Sequence, residues 1–184
     1  MTGYMDAQAV FDKYYKKGTP LYDLVWNHSR KVADKALSIV DAHPEFGADR
    51  KFVEEAALLH DLGVFLTDAP EIECRGYEPY ICHGILGAEI LRKEGFPRHA
   101  LVCERHTGTG LSREDIERQN LPIPSRDMLP ESIEEKIICY ADKFYSKSHP
   151  DREKTVEKIR TGIQKYGTES LSRFDEWSCF CLLY

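Results

Sequence analysis

One stretch constrains this chain more than any other: an apolar run that ends in a histidine and an aspartate. Residues 56–59 are Ala-Ala-Leu-Leu, His60-Asp61 follows directly, and Gly63 comes two residues later. The run predicts a buried helix that Gly63 ends, because glycine adopts the left-handed conformation at little cost. His60 and Asp61 would then lie on the last turn of a core helix, where buried polar groups need partners. A divalent transition metal is one such partner, and an ordinary Asp–His hydrogen bond is the alternative.

Helical spacing of apolar residues recurs along the chain, and period-2 alternation persists nowhere. It predicts helices over 5–17, 28–40, 49–62, 80–94, 98–106 and 131–145. One or two amphipathic helices are expected over 151–176, split at Gly167. Residues 64–79, which contain Pro70, Gly76 and Pro79, are expected to be irregular and are a candidate lid or substrate loop. The sequence therefore predicts an all-α fold.

The composition is typical of one soluble globular domain. The 184 residues are 42% hydrophobic and 30% charged, with no internal repeat or linker that would divide them. The formal net charge of −6, from 25 basic and 31 acidic residues, argues against a general role on nucleic-acid polymers or membrane surfaces, which requires a basic face. It does not exclude a local basic pocket for a phosphate.

A cytoplasmic location is expected. No apolar stretch approaches the roughly 20 residues that a membrane helix needs, and the first residues show no secretory signal. Six cysteines form no CxxC pair and are most simply reduced core thiols. They are Cys74, Cys82, Cys103, Cys139, Cys179 and Cys181.

Polar residues occur on the apolar faces or at the ends of five predicted helices. They are His28, His60, Asp61, His83, His106 and Asp142. Each histidine alone is explained by a hydrogen bond in the core, whereas an aspartate near a helix C-terminus, such as Asp142, is disfavoured by the helix dipole. Four histidines and two aspartates together are a natural donor set for one or two transition metals. The other histidines, His43, His99 and His149, lie near prolines and are expected to be exposed and without a role.

The order His28, His60-Asp61, Asp142 resembles the HD superfamily of metal-dependent phosphohydrolases. Residues 60–63, His-Asp-Leu-Gly, are similar to its HDIG subgroup, and the segments around 105–111 and 134–143 resemble a small single-domain branch. The resemblance covers roughly 20–147. It implies a single HD-type helical bundle over 1–184, with a core at about 20–147 and C-terminal helices at 151–176 packed on it.

The resemblance also implies a ligand set. The first metal would take His28, His60, Asp61 and Asp142. The second would take His83 and His106, with Asp61 as the bridge. Divalent transition metals, with iron first and Mn, Co, Ni or Zn as alternatives, are the expected cofactors.

The activity that the resemblance implies is hydrolysis of a phosphate ester or anhydride by a metal-activated hydroxide. The substrate would be a nucleotide or another small phosphorylated metabolite. Asp61 and Lys143 are the expected catalytic residues, and Arg30, Arg105 and Lys143 are the expected substrate-binding residues, although each basic side chain is also explained as a solvated surface group. The loop at 107–110 is either an anion-binding nest or a plain turn.

Two features depart from known HD enzymes. Residues 64–66 are Val-Phe-Leu, so the acidic residue of single-metal HD nucleotidases is missing there, and Gly76-Tyr77 continues as Glu78, so the GYP signature of cyclic-di-GMP phosphodiesterases is absent. The His83/His106 pattern is more similar to HD enzymes that cleave diadenosine tetraphosphate.

Other functions stay open on the sequence. HD-type di-iron oxygenases use the same six ligands, so an oxygenase acting on a small polar substrate is the main alternative. A regulatory module that keeps the metal site and a metal-free helical domain are further alternatives. The apolar residues 180–184 suit a homodimer contact or docking on the domain's own core.

Overall fold

Nine α-helices follow one another within residues 5–181, the part of the chain that this computed structural model describes. They are α1 (Ala7–Tyr14), α2 (Pro20–Ala42), α3 (Arg50–Leu59), α4 (His83–Lys93), α5 (Pro97–Arg105), α6 (Arg113–Arg118), α7 (Ile133–Asp142), α8 (Val156–Ile163) and α9 (Thr168–Cys181). Two short strands, β1 (Asp68–Ala69) and β2 (Cys74–Arg75), pair antiparallel. The predicted all-α class is confirmed.

The longest helix, α2, begins earlier than the apolar spacing predicted. The Thr19 hydroxyl accepts a hydrogen bond from the Tyr22 amide, and Pro20 occupies the first turn, so the residues before 28 are already helical. The helix packs against α3 and α7. Its fully buried residues include Val25, Ala36 and Ile39.

The last helix closes the core from one side. Phe174 and Trp177 of α9 are almost completely buried, and the Phe174 ring stacks on Tyr140 of α7 with 5.2 Å between ring centroids. Phe180 packs on Phe46 with 5.7 Å between centroids. The start of the apolar tail therefore docks on the domain itself. Residues 182–184 lie outside the described part, and the homodimer stays a prediction.

The connection between α3 and α4 has more structure than expected. A 3₁₀ turn over Leu62–Leu66 is followed by the β1–β2 hairpin, whose two strands are joined by a 3₁₀ turn at Pro70–Ile72, and then by a 3₁₀ turn at Tyr80–Cys82. The Cys74 thiol donates to the carbonyl of Val64 over 3.0 Å. Ile72 and Cys74 are buried, so the hairpin is docked on the core.

The expected role of Gly63 as a left-handed helix end is wrong. Helix α3 ends at Leu59, His60 follows as its cap, and Gly63 lies inside the 3₁₀ turn without a positive φ. A Cβ at Gly63 would lie 2.2 Å from the carbonyl oxygen of His83 and 2.4 Å from the amide nitrogen of Gly87. Glycine is therefore needed because the turn presses directly on the backbone of α4.

Helices α4 and α5 approach each other as closely. A Cβ at Gly84 would lie 2.6 Å from the carbonyl oxygen of Cys103. Because Gly84 has no side chain, the start of α4 packs directly against the end of α5, and His83 lies beside His106. Within residues 5–181, no helix has the length and apolar character required to cross a membrane.

Candidate metal centre

The structure brings all six candidate ligands to one buried place. His28 lies within α2, His60 and Asp61 follow α3, His83 begins α4, His106 caps α5, and Asp142 ends α7. The four histidines and Asp61 are buried, and the Asp142 side chain is 13% exposed. Five of the six residues lie at or next to a helix end, and helix ends from different directions can meet at one point without breaking the helices.

Four of these residues form a first group. The His28 Nε2 atom lies 3.0 Å from Asp142 Oδ1 and 3.2 Å from Asp61 Oδ2. The His60 Nε2 atom lies 3.1 Å from Asp61 Oδ2 and 3.4 Å from Asp142 Oδ1. The four donor atoms all lie within 4.8 Å of one another, so one ion could bind between them.

Three residues form a second group that shares Asp61 with the first. The other carboxylate oxygen, Asp61 Oδ1, lies 3.5 Å from His83 Nε2 and 3.4 Å from His106 Nε2. These two nitrogens lie 3.0 Å apart. Asp61 therefore offers one oxygen to each group, which is the arrangement of a bridging carboxylate.

Backbone carbonyls fix the orientation of three imidazole rings. Nδ1 lies 2.6 Å from the carbonyl oxygen of Ala57 in His60, 2.6 Å from that of Tyr80 in His83, and 2.7 Å from that of Cys103 in His106. A carbonyl only accepts hydrogen bonds, so each Nδ1 carries a proton and each ring turns its Nε2 atom inward. Metal-binding histidines are commonly held by such second hydrogen bonds.

The inward-facing atoms lack the hydrogen bonds that a buried cluster normally makes. His60 Nε2 and both carboxylate oxygens of Asp61 have no hydrogen bond of acceptable geometry. The lone pairs of His83 and His106 face each other over 3.0 Å, where two acceptors repel unless a cation lies between them. Imidazole and carboxylate donors suit Fe, Mn, Co, Ni and Zn, so the residues present fit a divalent transition metal.

The electrostatics also favour a cation. Burial raises the pKa of Asp61, but His60 and Lys147 hold that pKa well below its usual range, so the carboxylate is charged. Burial lowers the pKa of His60, yet Asp61 and Asp142 outweigh it and raise the value to about 9. Burial and the neighbouring His106 lower the pKa of His83 to about 3, which keeps that ring neutral.

Two lysines contact the carboxylates from the open side. Lys143 Nζ donates to Asp142 Oδ2 over 2.8 Å and to the carbonyl of His106 over 3.2 Å. Lys147 Nζ lies 2.5 Å from Asp61 Oδ2 and 5.8 Å from the centre of the Tyr80 ring. The sequence interpretation missed Lys147, because it follows α7 in a turn where no periodicity indicates where a side chain points.

The two arginines expected to bind substrate lie elsewhere. Arg30 Nη1 lies 3.4 Å from Glu54 at the surface, with 46% of the side chain exposed. Two residues after His28, it points about 200° away around the helix, and this excludes it from the cluster. Arg105 forms ion pairs with Glu135 over 2.9 Å and with Glu131 over 3.3 Å, so its charge is already paired away from the cluster.

Two smaller expectations also change. His43 and His99 are not exposed: their side chains are 16% and 12% accessible, and His99 Nε2 lies 3.2 Å from Glu55. The 107–110 loop is held by α9, since Arg173 donates to the carbonyl of Thr109 over 3.1 Å and the Thr109 hydroxyl donates to the carbonyl of Ser170. These contacts favour the plain-turn interpretation of the loop.

The cluster opens into a cleft of about 630 Å³. His28, Asp142, Lys143 and Lys147 line its inner end. Its outer wall comes from α8 and the segments on either side of it. A cavity of this size admits a nucleotide-sized ligand.

A helical domain with a buried histidine–aspartate cluster is thus the class that the fold and the site define. The sequence matches the HD domain family over residues 25–146, and the chain belongs to that family. The predicted membership of the HD superfamily is confirmed.

Solved structures agree with this fold. The HD domain of the L. monocytogenes phosphodiesterase PgpH superposes with a TM-score of 0.55 and 18% identity, covering 95% of both chains. The same domain in complex with cyclic-di-AMP gives a TM-score of 0.52 and 18% identity, covering 93% of this chain and 92% of that chain. At this identity the likeness shows the fold alone.

Two of the curated relatives are much longer proteins. A tRNA (cytidine(56)-2'-O)-methyltransferase of Picrophilus torridus is 39% identical over 67% of this chain and 32% of its own length. The enzyme of the same name from Thermoplasma volcanium is 32% identical over 89% of this chain and 43% of its own length. An uncharacterized protein of Methanocaldococcus jannaschii is 36% identical over 65% of each chain. The chain therefore spans less than half the length of the methyltransferases that it matches.

Proposed function

We propose that this chain is a metal-dependent phosphohydrolase that cleaves a phosphate ester or anhydride of a nucleotide or small phosphorylated metabolite. The main support for the proposal is the pair of donor groups that share Asp61. One carboxylate, Asp61, faces both groups of donors, and the His83 and His106 lone pairs oppose each other over 3.0 Å. We assign the ligands as His28, His60, Asp61 and Asp142 for one ion, and Asp61, His83 and His106 for the other.

Two divalent cations, when bound, supply a water of lowered pKa and neutralise charge on the reacting phosphate. The reaction adds water across one P–O bond: the water oxygen bonds to phosphorus, and the leaving oxygen takes a proton from solvent.

Lys143 and Lys147 lie against the carboxylates of the donor cluster, Asp142 and Asp61. Burial lowers the pKa of each lysine, but the adjacent carboxylates raise it above its usual value, so both ammonium groups stay charged. They act as phosphate clamps rather than proton donors, which revises the expected catalytic role of Lys143.

The charge of the cleft favours a phosphate substrate over the oxygenase alternative. Five lysines line it, namely Lys143, Lys147, Lys154, Lys158 and Lys165. The ligand set does not distinguish a hydrolase from a di-iron oxygenase, but a lysine-lined approach attracts a polyanion. The PgpH domain, which was solved in complex with cyclic-di-AMP, supports a nucleotide. The methyltransferase names describe whole proteins of which this chain matches less than half.

Elemental analysis of protein purified without chelators or a histidine tag tests the proposal, together with a phosphate-release screen on nucleotides in the same sample. We expect two equivalents of metal, one for each donor group, and phosphate release that a chelator abolishes. Two irons, with oxygen consumption and no phosphate release, would establish the oxygenase instead. No metal after reconstitution would show that the cluster is an ordinary hydrogen-bonded core.

A further inference from the structure

Three lysines on the outer wall of the cleft have no role in the centre described above. Lys154 precedes α8, Lys158 lies on it, and Lys165 lies in the 3₁₀ turn that follows it. All three line the same cleft as His28 and Asp142, so the cleft runs continuously from the candidate metals to these side chains. The cleft therefore offers space for a ligand to reach from the cluster to these lysines.

These lysines differ from the other cleft lysines in having no acidic partner. Lys143 and Lys147 pair with Asp142 and Asp61. In contrast, the ammonium groups of Lys154, Lys158 and Lys165 make no hydrogen bond or ion pair with any described residue. The neighbouring carboxylate of Glu153 turns away to Lys35 over 2.6 Å. Apart from Asp142, the exposed Glu71 of the α3–α4 connection is the acidic side chain that lines the cleft among the residues described.

The fold places these three lysines along one cleft. Ile159 and Ile163 are buried and anchor α8 to the core. Residues 158, 162 and 165 are spaced four and three apart, so they share the face turned to the cleft. Residue 162 is glycine, and a Cβ there would meet nothing within 4 Å, so the space between the two lysines stays open.

The crowding has an electrostatic cost. Burial lowers the pKa of Lys154, and the charges of Lys143, Lys158 and Lys147 lower it further, against the opposing effect of Asp142. An unpaired group of cations beside an open cavity gains stability from a bound anion, because charge-assisted contacts to phosphate are stronger than neutral ones.

We propose that Lys154, Lys158 and Lys165 form a second anion subsite that binds phosphates beyond the reacting one. The preferred ligand of the cleft then carries a polyphosphate chain, as nucleoside triphosphates and inorganic polyphosphates do. The identity of the reacting phosphate rests on the proposed function. The lysine subsite itself is tested by binding, independently of turnover.

Calorimetry on the 184-residue chain provides the test, with AMP and the β,γ-imido analogue of ATP as ligands. The two share base and sugar and differ in the number of phosphates. The test variant is Lys158→Gln/Lys165→Gln, in which both substituted side chains are exposed. Its matched control is Lys16→Gln/Lys93→Gln, which removes the same charge from exposed positions that do not line the cleft.

We expect the test variant to weaken binding of the imido analogue by about 10- to 100-fold, since each of the two lost charged contacts is worth up to roughly a factor of ten. AMP binding should change by less than about 2-fold, and the control should bind both ligands as the wild type does. Inorganic triphosphate should follow the imido analogue. If it does, the polyphosphate chain rather than the nucleoside is recognised.

Three outcomes would overturn the inference: an equal loss for AMP and the imido analogue, no loss beyond the control, or tighter binding of a 5′-phosphorylated RNA that the test variant selectively loses. The last would assign the lysines to an RNA end. The proposed function is judged by phosphate release and not by these affinities. If the test variant selectively loses affinity for the imido analogue but no nucleotide releases phosphate, the subsite is supported and the hydrolase is overturned. If phosphate is released but binding does not depend on the lysines, the hydrolase is supported and the subsite is overturned.

Discussion

Asp61 lies at the centre of the site at the scale of single residues. Its side chain is completely buried, one oxygen faces His28 and His60, and the other faces His83 and His106. Neither oxygen has a hydrogen bond of acceptable geometry. Lys147 lies 2.5 Å from one of these oxygens and compensates part of the charge. The assignment of Asp61 as a bridge predicts that both metal ions depend on this one carboxylate.

Asp61→Asn should abolish binding at both sites. The amide keeps the shape of the side chain but loses the negative charge that both ions share. We expect metal affinity to fall by at least the roughly 10–100-fold that loss of a supporting hydrogen bond alone causes. Elemental analysis of the purified variant measures this loss. Full metal content in Asp61→Asn would contradict the bridging assignment.

His83→Ala should empty one site only. His83 contacts Asp61 Oδ1 and His106, and it belongs to the second donor group but not the first. Metal content is therefore expected to fall from two equivalents to one, with phosphate release reduced by about 100-fold or more because one ion no longer polarises the phosphate. If both sites emptied, or neither did, the division into two groups would be wrong.

Close backbone contacts between elements set the position of the ligands. The 3₁₀ turn after Asp61 presses on α4 at Gly63 and Gly87, and α4 presses on α5 at Gly84. These contacts leave no room for a Cβ. They fix the distance between the ends of three elements, and with it the spacing of Asp61, His83 and His106.

Gly63→Ala should destabilise the protein and disturb the site. The new Cβ would lie 2.2 Å from a backbone oxygen of α4, so the backbone must shift. Overpacking of this kind costs about 1–3 kcal/mol, and it should also lower metal content. Urea unfolding measures the free energy of unfolding.

Gly162→Ala is the matched control for that experiment. Gly162 lies in α8, where a Cβ would meet nothing within 4 Å. Alanine in a helix is favoured over glycine by up to about 1 kcal/mol, so this variant should be as stable as the wild type or more so. A loss of stability in Gly162→Ala equal to that in Gly63→Ala would show that the close contact is not the cause.

The whole molecule combines a net negative charge with a positive cleft. The formal charge is −6, yet five lysines face one cavity. A negative surface disfavours general binding of polyanions, whereas the lysines focus attraction at the opening of the site. Metal binding and stability are linked at this scale, because an ion that binds only the folded chain stabilises all of it.

Manganese should stabilise the protein more as the pH rises towards 9. In metal-free protein the pKa of His60 is raised to about 9, so its proton contributes stability below the unfolded value of about 6.5. That contribution is lost as the pH rises through about 9. An ion on His60 replaces the proton, so the metal-bound protein avoids the loss.

Thermal unfolding with manganese or with EDTA at several pH values between 6.5 and 9 measures the difference. The gap between the two melting temperatures should widen with pH. A constant or narrowing gap would mean that His60 does not exchange a proton for the metal. Asp61→Asn should show no gap at any pH, which controls for nonspecific effects of manganese.

The sequence by itself determined the elements and the inventory of donors. Apolar spacing located the main helices, since burying one face of each is what stabilises them. The donors were recognisable because histidines and aspartates are costly at apolar positions unless they bind a partner there. The two groups that the resemblance implied coincide with the two that the structure brings together.

Only the tertiary structure decided which charged residues reach the site. Arg30 lies only two residues after His28 in sequence but faces Glu54, whereas Lys147, in a turn without periodicity, reaches Asp61. Gly63 follows α3 as a helix-ending glycine would, but it serves a contact with α4, 20 or more residues away. The outer lysines share a cleft with His28 because α8 packs where it does. Spacing along the chain records local geometry, while these contacts depend on how distant elements pack, which no local pattern encodes.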